Sequence, residues 1–262
     1  MTMRQRPTAP EGLAPPRWVR EAVRESSRTG RVLDHGFSDA QLKSVWWTSR
    51  LTEAGLADGT SPMITFPSTR EDGTAVLTRA DLFAMSADLR SKGRRGRDEQ
   101  WLQFLWHVLA WGSGPSRRNN RARIDAFADP VTRRDRIGYL REAAERVWKE
   151  DVRGAYGALV EPGRGRIPGL GPAFFTKVLY FLGGDAPQER RAVRCLILDA
   201  RVATSLRSCG WESLPKGNYN WFTDTYVSYC GLLSRWADDL SVAVGRTVEA
   251  DEIERALFAG PT

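Results

Sequence analysis

Apolar residues along this chain recur three and four apart far more often than they alternate, the spacing that places them on one face of an α-helix. The densest run is Trp101, Leu102, Phe104, Leu105, Trp106, Val108, Leu109 and Trp111. It leaves little room for a solvent face and predicts a central helix from near Asp98 to Gly112. Gly112-Ser113-Gly114-Pro115 stops it. Gln100, Gln103 and His107 share the remaining stripe. Residues 18–56 read as mostly helical, with Trp46 and Trp47 as core anchors. Two short β-like runs, Met63 to Phe66 and Ala75 to Leu77, flank Arg70-Glu71-Asp72-Gly73 and predict a small hairpin. Thr78 and Asp81 have the spacing of a capping box, opening a helix through about Leu89. Residues 131–160 are helical again, and the stretch from Trp221 to Phe258 reads as two helices parted near Gly245. The chain therefore divides into a flexible, basic and proline-rich arm (1–16), an N-terminal helical region with a short β-hairpin (17–97), and a helical region (98–262). The fold class is mainly α.

Charge changes this picture. The 262 residues carry a formal net charge of +7, with arginine dominating the bases, which favours an anionic partner and nucleic acid first. Arg117, Arg118, Arg121 and Arg123 form a run with no acid among them, and Arg94, Arg95 and Arg97 form another. Each is either a solvated loop or a clamp on phosphates. Cys195, Cys209 and Cys230 show no paired spacing, and with only His35 and His107 beside them no metal cluster is expected. Their odd number suits a reducing, cytoplasmic setting. The stretch from Met1 to Pro16 lacks the apolar core of a signal peptide, and no segment has the length of a membrane span.

The candidate chemistry lies further on. Gly169-Leu170-Gly171-Pro172 runs directly into the apolar stretch from Ala173 to Leu182. Two glycines around one apolar residue predict a tight hairpin in which the second glycine takes a positive φ. Pro172 suits the first position of the helix that follows, at 172–182. The N–H groups of such a helix end bind phosphate, and Arg164 and Arg166 lie just upstream. Downstream, Leu198-Asp199-Ala200-Arg201-Val202 sets a single acid at the edge of an apolar run.

The two segments, Ile167-Pro168-Gly169-Leu170-Gly171-Pro172 and Ile197-Leu198-Asp199-Ala200-Arg201-Val202, resemble the helix-hairpin-helix DNA glycosylase superfamily. Within it, the bacterial branch with an 8-oxoguanine-glycosylase-like fold is most similar. The resemblance is sharp over residues 167–203 and only general elsewhere. It implies a two-lobed helical fold, DNA as partner, a monomer, and neither metal nor organic cofactor. In that family the hairpin holds the DNA backbone and an aspartate some twenty residues later serves catalysis; Gly169, Gly171 and Asp199 match. Ala173, Arg164, Arg166, Arg117, Arg118, Arg121 and Arg201 complete the expected DNA contacts. Gln103, His107 and Trp111 are the candidates for a pocket around a flipped base.

One departure matters. Members that also cleave the DNA backbone carry a lysine just after the second glycine of the hairpin, where this chain has Pro172-Ala173. Lys177 lies one helical turn beyond Ala173 and points to the same side. Hydrolytic excision without strand cleavage is the expected activity, with Lys177 as the candidate amine for a lyase step.

The acid has a physical reason. Breaking an N-glycosidic bond builds positive charge on the sugar, which a carboxylate stabilises while it orients water. Because the branch includes proteins acting against phages with modified DNA, oxidised guanine and a phage-type base are both candidate substrates, in DNA repair or anti-phage defence. Plainer readings stand beside these. Asp199 is a good N-cap, Gly-Leu-Gly is also an ordinary helix connection, His107 suits a satisfied core position, and tryptophans at helical spacing are usually core. The rival reading of the whole is a catalytically inactive DNA-binding module on the same fold.

Overall fold

The computed structural model describes residues 7–34, 42–57, 64–93, 96–160, 167–185, 193–216 and 221–261. The described residues form α1 (Arg17–Glu25), β1 (Leu42–Lys43), α2 (Ser44–Glu53), β2 (Ser68–Thr69), β3 (Thr74–Val76), α3 (Arg79–Lys92) and α4 (Asp98–Ser113). A 3-10 turn (Gly114–Ser116) leads to α5 (Asn120–Asp125), α6 (Pro130–Trp148), α7 (Val152–Val160), α8 (Pro172–Leu182), α9 (Ala200–Ser208), α10 (Thr223–Val244) and α11 (Ala250–Ala259). The protein is mainly helical with a small antiparallel sheet, as the periodicity implies.

Helix α4 is central because it is apolar almost all round. Every residue from Trp101 to Trp111 except Gln103 is buried, and the helix packs on α3, α6 and α8. Helix α8 is similarly enclosed, with Phe174 its one half-buried residue. Trp47, Trp101, Trp106, Trp211 and Trp236 lie fully inside. A single apolar core runs from Val19 to Leu257, and α3 packs on both α4 and α8. The packing therefore draws no line at residue 97.

Several boundaries differ from the sequence pattern, each for a local reason. The sheet has three strands in the order β1-β3-β2, with Leu42 opposite Ala75 and Thr69 opposite Ala75 on the other side. The strand expected at 63–66 begins instead at Ser68, after Pro67, which has no N–H to give a ladder. Met63 itself lies outside the described residues. The helix expected over 131–160 breaks between Trp148 and Val152. There Glu150 takes φ 59° and Asp151 caps the new helix through the N–H of Gly154 at 2.8 Å. From Pro7 onward the N-terminal arm is docked, not free: Trp236 donates to the Leu13 carbonyl at 2.7 Å, and Ala9 N–H donates to Ser228 Oγ at 2.8 Å. The capping box stands as expected, with Thr78 and Asp81 bonding reciprocally at the head of α3.

Beneath α8 lies a buried ionic layer that ties α3 and α11 to the segment before β1. Asp251 Oδ2 accepts from Arg31 Nε (2.9 Å), Val32 N–H (3.1 Å) and the Tyr180 hydroxyl (2.6 Å). Arg79 donates to Glu254 Oε2 at 3.2 Å and to the Tyr180 oxygen at 2.9 Å. The two guanidiniums hold the Asp251 carboxyl below its ordinary range despite burial. Glu254 goes the other way: burial outweighs Arg79, and Asp199 and Asp251 add repulsion, so its carboxyl is pushed up to about 7.

A carboxyl whose pKa is higher in the folded state opposes folding once the unfolded chain ionises. The contribution of Glu254 to stability therefore falls as pH rises from about 4.5 towards about 7. Removing only one member of a buried pair strands the other charge, which costs about 3–5 kcal/mol. Glu254→Leu is expected to lose less than that in urea unfolding, because Arg79 keeps Tyr180 and the charge of Asp251, whereas Arg79→Met is expected to lose the full amount by leaving Glu254 without its cation and Asp251 with only one. Equal losses in the two variants would show that Arg79 serves Glu254 alone.

Candidate active site

The hairpin closes with the Leu170 N–H donating to the Ile167 carbonyl at 3.1 Å. Gly169 takes φ 75°, whereas Gly171 is extended (φ −77°, ψ 175°) and serves as the N-cap of α8. The left-handed residue is thus the first glycine, not the second as expected. Pro172 prefers an extended residue before it, which moves the sharp turn back to Gly169. A second constraint acts at the same place, since a Cβ on Gly169 would lie 3.2 Å from Arg123 Cγ.

Arg123 is the brace of this turn. Its Nε donates to the Gly169 carbonyl at 2.9 Å, and one terminal nitrogen donates to the Arg118 carbonyl (3.0 Å) and to Asn120 Oδ1 (2.7 Å). Its guanidinium lies 3.5 Å from the centre of the Phe174 ring. The last arginine of the basic run is therefore buried structure. Arg118 and Arg121 are exposed beside it, and Arg117 stands half-buried over Trp46. Arg201, exposed in the first turn of α9, lies 4.3 Å from the Phe258 ring. Arg164 and Arg166 lie outside the described residues, as do Arg94 and Arg95.

The approach to Asp199 is buried chain outside helix and sheet, so its backbone groups need side-chain partners. The Tyr226 hydroxyl accepts from Leu196 N–H (3.1 Å) and donates to the Leu196 carbonyl (2.8 Å). The Tyr229 hydroxyl donates to the Ile197 carbonyl at 2.7 Å, and Leu198 N–H donates to Thr176 Oγ1 at 3.3 Å. Tyr226 is itself stacked on Tyr156 with ring centres 4.3 Å apart. Two helices, α8 and α10, thus hold this segment residue by residue.

At its end Asp199 divides its carboxylate. Oδ1 accepts from Arg201 N–H (3.0 Å) and Val202 N–H (3.1 Å), capping α9. Oδ2 lies 3.5 Å from Lys177 Nζ. The side chains are 14% and 8% exposed, so the pair sits at the edge of the interior. Helix capping and the ion pair with Lys177 are thus divided between the two oxygens of one carboxylate. Lys177 folds back along α8, as helical side chains do, and donates to the Ala173 carbonyl at 2.7 Å. Its amine is thereby delivered one turn towards the hairpin. Gly112 makes room for the stem: a Cβ there would lie 2.7 Å from Lys177 Cδ. Phe174 lies 5.3 Å from the amine.

The three residues expected to line a base pocket do not converge on this pair. His107 is buried with Nδ1 2.6 Å from the Gln103 carbonyl and Nε2 2.7 Å from the Thr65 carbonyl, so neither nitrogen faces a ligand. Gln103 lines a cleft of about 640 Å³ with Leu56, Arg97, Arg133 and Arg134. It lies nine positions before Gly112 on α4, about 14 Å at helical rise. Trp111 is 5% exposed, packed edge-on to Phe181 at 5.1 Å with Arg79 near its ring. Of the three it alone adjoins the site, through Gly112. Arg123 was considered only as part of a loop or phosphate clamp, and Phe174, Thr176, Tyr226, Tyr229 and Gly112 were not predicted as site residues. Only the i, i+3 tyrosines on α10 left a readable trace.

An Ile-Pro-Gly-Leu-Gly hairpin opening a buried helix, with a carboxylate heading the next helix against it, defines a helix-hairpin-helix arrangement of the DNA-glycosylase type. The chain belongs to the family described as "Putative 8-oxoguanine DNA glycosylase OGG-like protein", whose model matches residues 30–258. Membership carries a DNA-glycosylase-like character and DNA as the partner. No curated protein and no solved structure matches the chain. Among the described residues no three His, Cys, Asp or Glu side chains are grouped to hold a metal, and no helix is long and apolar enough to cross a membrane.

Gly112→Ala is expected to displace Lys177 without unfolding the protein. The gain of about 1 kcal/mol from replacing a helical glycine offsets the cost of moving a flexible stem. Reductive methylation followed by mass spectrometry checks this: Lys177 should react faster in the variant at an unchanged melting temperature. Equal reactivity in both proteins would mean that Gly112 does not hold the amine.

Proposed function

We propose that the protein is a DNA glycosylase that flips a modified base out of the helix and removes it by hydrolysis, with Asp199 as the catalytic carboxylate. The observation that carries this reading is the divided carboxylate: Oδ1 is committed to the cap of α9, and Oδ2 lies 3.5 Å from Lys177 Nζ. The cap fixes the rotamer. As the bond from the sugar to the base breaks, positive charge grows on the sugar, and Oδ2 stabilises it and orients the attacking water. The hairpin at Gly169 and Gly171, the Ala173 end of α8, and Arg117, Arg118, Arg121 and Arg201 hold the phosphates on either side. Oxidised guanine and a phage-type modified base are the two substrate classes, the first a repair task and the second a defence.

A second route is favoured by the fold-back of Lys177. Its amine passes one proton to Asp199 and bonds to the same sugar carbon as the bond to the base breaks. The base leaves with its electron pair and takes a proton from solvent. The sugar ring then opens at its C1′–O4′ bond, with Asp199 returning its proton to the ring oxygen, to give the imine that leads to strand cleavage. The routes separate in one assay on duplexes carrying oxidised and bulky phage-type bases. Hydrolysis gives abasic sites cut only by alkali, and amine attack gives nicks and a borohydride-trapped adduct. Asp199→Asn is expected to slow excision by about 10²–10⁴-fold in either case. Lys177→Gln is expected to leave alkali-revealed sites while abolishing any adduct. Wild-type excision by Asp199→Asn would sink the assignment. Tight binding with no excision across the panel would favour a DNA-binding module that has lost catalysis.

A further inference from the structure

The cleft of about 640 Å³ at the start of α4 takes no part in the reaction proposed above. We propose that it binds a free adenine nucleotide, with Gln103 on the base, Glu99 on the ribose, and Arg133 and Arg134 on the phosphate. The inference does not rest on the glycosylase reading.

The cleft lies between the end of α2 and the first turns of α4 and α6. Its volume is within the range of small-ligand sites, which combine apolar lining with a few placed polar groups. Leu56 and Leu102, both buried, supply the apolar lining. Gln103 is half-buried beside them. Its backbone carbonyl is taken by His107, but among the described residues no hydrogen bond uses its side-chain amide. An amide offers a donor and an acceptor side by side, the complement of N7 and N6 of adenine.

The phosphate end is set by α6. Arg133 is half-buried, and its Nη2 donates to the Ala128 carbonyl at 3.1 Å, which fixes the guanidinium. Its Nε is buried with no acceptor. Among the described residues no acid pairs with Arg133 or with the exposed Arg134 that follows it. A partly buried guanidinium without an anion is costly, and a phosphate supplies one in bidentate form. The side chains carry this recognition, because Asp129 already accepts from the first free N–H groups of α6, at Val131 and Thr132.

Two acids line the same cleft. Asp98 is committed to Arg141 at 2.8 Å. Glu99 is exposed and pairs with no cation among the described residues. A carboxylate so placed accepts from the hydroxyls of a ribose. Base, sugar and phosphate thus each find a group of the right chemistry.

A free nucleotide suits the cleft better than one in DNA. In a duplex the base stays stacked and shows only its groove edges. A nucleotide flipped out for reaction is placed by Asp199. Gln103 lies about 14 Å along α4 from Gly112, where that helix touches the Lys177 stem.

Titration calorimetry with AMP, IMP, adenosine and inorganic phosphate tests the assignment. AMP is expected to bind about tenfold tighter than each of the others. IMP carries an oxygen where AMP has its N6 amino group, so Gln103→Ala should bring the AMP-to-IMP ratio to about one. Arg134→Gln, at an exposed position, should weaken AMP about tenfold and leave adenosine unchanged. Arg20→Gln, exposed on α1 and outside the cleft, should bind AMP as the wild type does. No heat from AMP at millimolar concentration, or equal AMP affinity in the wild type and Arg134→Gln, would overturn the proposal. Loss of AMP binding in the presence of saturating duplex would mean that DNA occupies the cleft and would overturn it as well. Excision at Asp199 is measured separately and stands or falls without these results.

Discussion

The site depends on the need to satisfy the backbone of residues 196–198. This segment runs through the interior outside helix and sheet, and unpaired buried amides and carbonyls there are costly. Tyr226, Tyr229 and Thr176 meet that need. In doing so they set where the segment ends, and it ends at Asp199. Thr176 is the neighbour of Lys177 on α8. The hydroxyl that holds Leu198 and the amine that faces Asp199 therefore come from the same helical turn. The packing that holds Leu198 therefore also brings the Lys177 amine to the Asp199 carboxylate.

Much of the fold was legible because long helices announce themselves by period and by their ends. The Thr78–Asp81 box, the stop after α4 and the break at Gly245 stand where the sequence puts them. Of the short elements the hairpin around Arg70–Gly73 and its strand β3 were legible, but β1 was not, since a two-residue strand has no period to read. At the site, Asp199 and the hairpin were visible because glycine, proline and a lone acid at fixed spacing are local signals. Arg123 was misread as part of an exposed basic run, as nothing in the sequence tells a buried guanidinium from a solvated one. His107 shows the same limit, since a stripe on a helix can face another backbone as well as a ligand. Gly112 was read only as a stop signal, and its role at Lys177 is that of an absent atom.

The lysine illustrates how position along a helix differs from position in space. A long side chain that bends back places its end group beside the residue one turn earlier. Lys177 does this, so a comparison made column by column finds alanine where the folded chain presents an amine.

Arg123 couples two parts of the surface that are 46 residues apart in sequence. Through one side chain the hairpin carbonyl and the basic loop carbonyl are held at a fixed separation, with the Phe174 ring closing the stack. Two points joined by such a strut cannot shift separately, so the hairpin and the basic loop behave as one rigid unit.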